Sequence, residues 1–430
     1  MRALKSTAER RPKFSAATVG RILLAEDSYI AAHNRIYVFK GGVYRPEGQK
    51  LIQKRTQDIL GAQSRRHCGV ETCYWIETER RVADAEVDAG ELVNVANGLL
   101  NPRTGELNPH SPSDLSTVQL PTEWNPNAYH ERADQFLREV LPDEATRLMV
   151  LEFAGYLLSP HCRYQKALML TGEGSTGKST LLDFIVATIG QANVSSVRLQ
   201  NLDSRFQTAC LLGKLANVHA DLPSAALKDS GTFKMLVSGD VLTGEHKYEQ
   251  PFNFRNRAKL IFSANELPPT VDRSWAFFRR WLVVRFAQQF GNGRPLDPYL
   301  SDKLRQPDAR SYLLRLAVEG LQRLERRGGF DETDATQAEL AEYRRAADNV
   351  VAFYEDCCEF NLDAVVPKQQ VYGVYRSWCE LLGTHPLDET RFSRRLKVLD
   401  PRIAEIRPSA PDGQRPRCWR GLRLLPTGGA

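Results

Sequence analysis

The spacing of apolar residues changes several times along the 430-residue chain, and each change predicts a different kind of element. Within residues 27–50, the stretch RIYVFKGGVYRPEG alternates apolar and polar positions around Gly41-Gly42, which predicts a β-hairpin with a two-residue turn. Residues 95–125 are rich in Asn, Pro, Ser and Thr and read as a long connection. From about Ala128 to Leu158 the spacing becomes helical: Phe136, Leu137, Val140 and Leu141 lead to Pro142, then Leu148, Leu151, Phe153, Ala154 and Leu157 recur before Ser159-Pro160 ends the run. Short apolar runs then stand at Ala167–Leu170, Leu215–Val218, Leu260–Phe262 and Trp281–Phe286, with polar or helical stretches between them, the pattern of a parallel α/β sheet. Residues 300–346 read as charged helix. From about Asn349 to Leu425 the order is helix, helix, helix, then a basic strand-like segment. There is no internal repeat.

Composition narrows the class only modestly. The hydrophobic content of 42% over this length supports two to four cored domains. No window approaches the ~18 continuous apolar residues of a membrane span. The opening MRALKSTAERRPKF is basic with no apolar segment behind it, so it is not a secretory signal, and residues 1–27 are read as a disordered tail. The net charge of +6 permits nucleic acid as a partner. The charge is concentrated: Arg391 to Arg423 holds ten Lys/Arg against three acids (Asp400, Glu405, Asp412). His67, Cys68 and Cys73 cluster, but with no second pair to complete a zinc set the eight cysteines are read as reduced thiols.

The most specific motif is Gly172-Glu173-Gly174-Ser175-Thr176-Gly177-Lys178-Ser179, which fits GxxxxGK[ST] between an apolar run and the helical pattern opening at Thr180. Its glycines let backbone N–H groups turn inward, and the helix N-terminus adds partial positive charge. Lys178 is expected on the β- and γ-phosphates of ATP, and Ser179 on Mg²⁺. A second acidic ligand at the end of a neighbouring strand is then needed; Asp221, after Leu215–Ala220, is the candidate, its alternative being a turn cap before Pro223. Asn265 ends a third strand and is positioned either to orient water and sense the γ-phosphate or to shape a turn. In Phe277-Phe278-Arg279-Arg280-Trp281, either arginine suits charge stabilisation on a phosphate held by a neighbouring subunit.

The ordered set GEGSTGKS, LANVHADLP, AKLIFSANELP and FFRRW resembles the superfamily-three helicases, specifically the helicase half of phage and plasmid primase-helicases related to the poxvirus primase-helicase. Upstream VNVANGLL (93–100) and EFAGYLL (152–158), and downstream VYGVYRSWC (371–379), are similar to flanking segments of that family, so the resemblance spans roughly residues 30–425. It implies an AAA+-like ATPase core, a hexameric ring with ATP between subunits, 3′ to 5′ movement on single-stranded DNA, a separate primase as a possible partner, and a bacterial host cytoplasm as the setting. It also implies a DNA-touching hairpin within residues 238–248, whose matching residues are His246 and Lys247, with Tyr248 suited to stacking on a base. Two departures stand out. Ala220 occupies the place of a second acid, leaving the general base unassigned, and the residues before about 100 are too few for a primase polymerase domain.

The expected layout is a tail (1–27), an N-terminal α+β domain (28–125), a helical collar (126–160), the α/β core (161–300), a helical lid (301–346) and a winged helix (347–430). In the last, Arg391, Arg394 and Arg395 share a helix face with a basic wing behind it (Arg415, Arg417, Arg420, Arg423), suited to duplex phosphates. The leading reading is an ATP-dependent DNA helicase acting on single-stranded or forked DNA, with no membrane partner. The rivals are an initiator or loader that uses ATP only to assemble, and a small-molecule P-loop kinase.

Overall fold

The computed structural model describes residues 14–245, 247–248, 250–291, 297–408 and 415–425. At its centre is a five-stranded, all-parallel sheet in the spatial order Trp281–Arg285, Ala167–Thr171, Lys259–Ala264, Ala216–His219, Val194–Ser195. Four of these strands coincide with the apolar runs; the fifth has only two residues and no legible period. The runs are continuous because both faces are covered, yet alternate side chains part company. Leu168, Leu170, Val218, Ile261 and Leu282 join the core beneath helices Glu144–Tyr156, Lys178–Ile189 and Pro307–Arg327. Ala167, Met169, Leu260, Phe262 and Trp281 join a second core with helix Gly231–Ser238 and Tyr343 of helix Asp334–Ala347. The α/β class is therefore as expected.

The N-terminal region is a separate small core in which helices Ala16–Glu26, Gly48–Leu60 and Arg66–Glu79 pack on a three-stranded meander. Its second turn is the expected one: Lys40 pairs with Val43 across Gly41 and Gly42, both at positive φ. The reading of residues 1–27 as tail needs correction. Residues 1–13 lie outside the described residues, but Ser15 caps a helix whose Val19 and Leu23 are buried in this core. Cys68 and Cys73 are buried on helix Arg66–Glu79, which accounts for them as packing residues. The expected connection at 95–125 contains strands Gly98–Leu100 and Leu107–Asn108, and side chains tie down its coil: Asp88 accepts from Thr117 N (2.7 Å), and Gln119 Nε2 donates to Gly41 O (2.8 Å).

The C-terminal region has its own core around Phe353, Tyr375, Phe392 and Trp419. Helices Asn349–Cys357, Lys368–Leu381 and Glu389–Leu399 match the three expected. A long strand, Cys358–Pro367, intervenes after the first; it pairs with Cys418–Leu424, which also pairs with Ala404–Ile406. Among the described residues no helix is long and apolar enough to cross a membrane.

One buried cation carries a stability prediction. Lys259 is fully buried, donates to the Ser159 carbonyl and lies 4.9 Å over the Tyr156 ring. Burial, opposed by Cys162 and reinforced by Arg257, brings its pKa down from 10.5 to about 8. The unfolded chain then holds a proton that the folded chain releases, so stability should rise between about pH 8 and 10.5. The span corresponds to roughly 3 kcal/mol. Urea melts of Lys259→Met should lose this slope; an unchanged slope would assign it elsewhere.

Candidate functional site

The loop at 172–177 connects strand Ala167–Thr171 to helix Lys178–Ile189, as the motif requires. Gly172 has φ 135°, and a Cβ there would strike the Phe286 carbonyl; Gly177 has φ 89°, and a Cβ would sit 2.6 Å from Val140 Cγ1. Only glycine fits at either position, because left-handed backbone and close packing coincide. Gly177 is also the N-cap and offers no side-chain bond, so the first-turn N–H groups are left for an outside anion. Lys178 Nζ donates to the carbonyls of Gly172 (2.5 Å) and Glu173 (2.7 Å) and lies 3.3 Å from Thr176 Oγ1. Its pKa is lowered, chiefly by burial, against an opposing pull from Asp221. The residues after strand Trp281–Arg285 lie along the loop: Phe290 N donates to Ser175 O (2.9 Å), and Gln289 Nε2 to Glu173 Oε2 (2.8 Å).

Because the sheet is parallel, the carboxyl ends of its strands share one edge. Strand Lys259–Ala264 lies between the loop's strand and strand Ala216–His219, so Asn265 follows the middle strand and Asp221 the next one over. Asn265 O accepts from Gly172 N (3.4 Å), tying that strand end to the loop. Asp221 is exposed and left-handed (φ 53°), a conformation costly for most residues but tolerated by Asp. It is fixed by its N–H donating to Ser263 Oγ (3.3 Å) and by Leu222 N donating to Ser263 O (2.8 Å). Ser179 and Thr180 open the helix, Ser179 exposed and Thr180 half-buried. Lys178, Ser179, Asp221 and Asn265 thus belong to one edge. His219, just before Ala220, is also there: its Nδ1 is 3.1 Å from Ser196 Oγ, and burial lowers its pKa.

Arg279 and Arg280 stand at the opposite edge, since they precede the amino end of a strand parallel to Ala167–Thr171. They do not serve the loop of their own chain. The pair also divides. Arg280 is buried, with Nη1 on the Ala276 carbonyl and Nη2 on Ser238 Oγ (2.9 Å), and burial lowers its pKa. Arg279 is half-exposed and donates to Gln165 Oε1 (2.7 Å).

The expected hairpin consists of strands Val241–Gly244 and Phe252–Arg255. His246 lies outside the described residues. Lys247 and Tyr248 are exposed at the tip, Tyr248 completely. The sequence reading missed the neighbouring helix Arg205–Thr208, whose Arg205 pairs with Glu245 (3.0 Å) and whose Phe206 is an exposed aromatic. Its only sequence signal is an aromatic beside an arginine in a polar segment. In the C-terminal helix, Arg391 and Arg394 are exposed, but Arg395 is not available to DNA. Its Nε bonds the Asp348 carboxylate, which is 1% exposed, and its Nη2 reaches Arg273 O (2.9 Å), because an isolated carboxylate at that depth would need a partner.

Three family descriptions match successive parts of the chain: a D5 N terminal like domain (residues 25–142), a family of unknown function, DUF5906 (170–280), and a poxvirus D5 protein-like segment (345–400). The chain is similar to phage-type primase-helicases. A helicase-named protein, L207/L206 of Acanthamoeba polyphaga mimivirus, is 24% identical over 62% of this chain and 30% of its own length. DNA-binding protein RFX7 of Xenopus laevis is 30% identical over 20% of this chain and 6% of its own length. The chain therefore spans less than a third of these curated relatives. Structures of the NrS-1 C-terminal region share the fold. One has a TM-score of 0.59 at 13% identity over 93% of this chain and 97% of that one; another has 0.58 at 12% over 96% and 100%.

Proposed function

We propose that the chain is the motor of an ATP-dependent DNA helicase acting in replication, with an AAA+-like P-loop core and a winged-helix C-terminal module. The observation that carries this reading is the shared edge where Lys178, Ser179, Asp221 and Asn265 surround an uncapped helix N-terminus. Such an edge holds a triphosphate: Lys178 on the β- and γ-phosphates, the loop N–H groups around them, Asn265 toward the γ-phosphate and the attacking water. The Ser179 hydroxyl and Asp221 carboxylate are hard oxygen donors with exposed side chains, a set that suits Mg²⁺ while leaving positions for phosphate and water. The bound ion would supply charge neutralisation on the phosphates. Among the described residues no three His, Cys, Asp or Glu side chains gather as a metal set.

With Arg279 and Arg280 at the far edge, neither reaches the γ-phosphate that its own subunit's Lys178 would hold, which favours a ring in which Arg279 serves the neighbour's ATP. Lys247, Tyr248, Phe206 and Arg205 form the patch for single-stranded DNA, cations for phosphate and aromatic faces for bases. Arg391 and Arg394 face duplex. The decisive test is ATP turnover with and without oligonucleotide, together with displacement on a forked duplex. Tyr248→Ala and Phe206→Ala should each weaken oligonucleotide binding by about ten-fold, in line with one lost stacking contact. Unchanged binding in both would remove the patch from the reading. Ala220, where a second acid would stand, favours one alternative, an initiator or loader that binds ATP without turning it over; DNA-stimulated hydrolysis excludes it.

A further inference from the structure

Residues 270–280, the segment that presents Arg279, are fastened to helix Gly231–Ser238 at three points. The Asp272 carboxylate accepts from the Ser230 hydroxyl and from Lys234 Nζ (2.9 Å). Burial alone would raise its pKa, but the bonds from Ser230, Ser274 and Lys234 outweigh it and hold the acid down at about 2, so it is a carboxylate at any working pH. Arg280, buried, reaches Ser238 at the other end of the same helix. Between them Phe233 stacks on Trp281 (4.5 Å, 14°) and tilts against Phe277 (5.4 Å).

That helix is also the root of the hairpin. It ends at Gly239 (φ 72°), and strand Val241–Gly244 begins two residues later. The returning strand closes on it: Arg255 Nη1 donates to Gly239 O (3.1 Å), and Asn256 Nδ2 to Leu236 O (2.8 Å). Hairpin root, helix and arginine segment form one close-packed body, and such bodies move as units because their interiors do not deform gradually.

We propose that Asp272 and Arg280 are positioning residues that lock Arg279 to the DNA hairpin of the same subunit, so that displacement of the hairpin along a strand moves the arginine relative to the neighbouring subunit's ATP. This rests on the helicase reading above. It gives Arg280 a role that its burial denies it as a direct phosphate ligand, and it gives Asp272 a role beyond the local turn, in which its carboxylate also accepts from Ser274 N (2.8 Å).

The test compares ATP turnover of the full chain with and without single-stranded oligonucleotide for wild type, Asp272→Asn, Lys234→Met and the double variant, with thermal melts alongside. The ratio of DNA-stimulated to DNA-free turnover should fall by about ten-fold in each single variant, the scale of an ordinary coupling energy, while the DNA-free rate holds. The double variant should fall no further, since both changes cut one link. Ser238→Ala removes only the hydroxyl that Arg280 uses and should lower the ratio too, an independent check if the charged variants fold poorly. A ratio that survives, rates that fall in proportion, or an additive double variant overturns the coupling alone. A wild type that turns over ATP without any response to DNA overturns the helicase reading and the coupling with it.

Discussion

Lys178→Ala is expected to abolish ATP turnover and strand displacement while leaving the fold standing. The ammonium is the one side-chain cation of the phosphate loop that the motif aims at the triphosphate. Loss of such a preorganised charge costs on the order of 10³-fold in rate, about 4 kcal/mol of barrier. Its structural cost is far smaller. The side chain is 5% exposed and donates to two loop carbonyls, so its removal forfeits two hydrogen bonds at about 1 kcal/mol each. Part of that is returned, because burial already penalises the charge, as the lowered pKa records. Turnover should therefore vanish with a melting temperature only slightly reduced. Persistent unwinding by the variant would sink the assignment; global unfolding would mean that the lysine serves the loop rather than the nucleotide.

The largest stability effect is expected at a helix crossing, at Gly155→Ala. Helices Glu144–Tyr156 and Pro307–Arg327 cross with their backbones in contact. A Cβ on Gly155 would strike the Ala317 carbonyl oxygen and stand 2.5 Å from Leu321 N; one on Gly320 would stand 2.5 Å from Leu151 O. Alanine would favour an isolated helix by about 1 kcal/mol. Against that, the obstructing atoms are backbone and cannot rotate aside, so the helices must part along a contact that buries Phe153, Leu157, Leu314 and Leu321. Overpacking of that kind costs about 3 kcal/mol or more. A urea melt giving equal or greater stability for the alanine variant would show that the helices separate more cheaply than this geometry allows.

How far the site was legible follows from how local each signal is. The phosphate loop, the flanking strand and helix, and Asp221 and Asn265 at strand ends were readable because a parallel sheet brings strand ends to one edge whatever lies between them. The hairpin was found through the resemblance, whereas Phe206 was missed because its place beside the tip depends on a contact with a segment some forty residues away. The arginine pair could be named but not divided: two adjacent residues at a strand start look alike until packing buries one under Ser238 and leaves the other half-exposed. Arg395 was assigned to DNA on helix spacing alone, and spacing does not reveal that Asp348 lies within reach. The same limit put Ala16–Glu26 into a tail, since Val19 and Leu23 gain meaning only against Tyr29 and Ile76.

By itself, then, the sequence determined the α/β class, the glycine-rich loop between strand Ala167–Thr171 and helix Lys178–Ile189, the order of helical and strand stretches and the Gly41-Gly42 turn. All of these depend on residue type over a few positions, through backbone conformation and apolar period. The tertiary structure alone decided which arginine is presented, which basic residues are already spent on buried carboxylates, where glycine is needed for two helices to touch, and that Asp272 joins the hairpin to Arg279. Those outcomes depend on partners distant in the chain, and the cost of burying a charge or a Cβ is fixed by what it meets there.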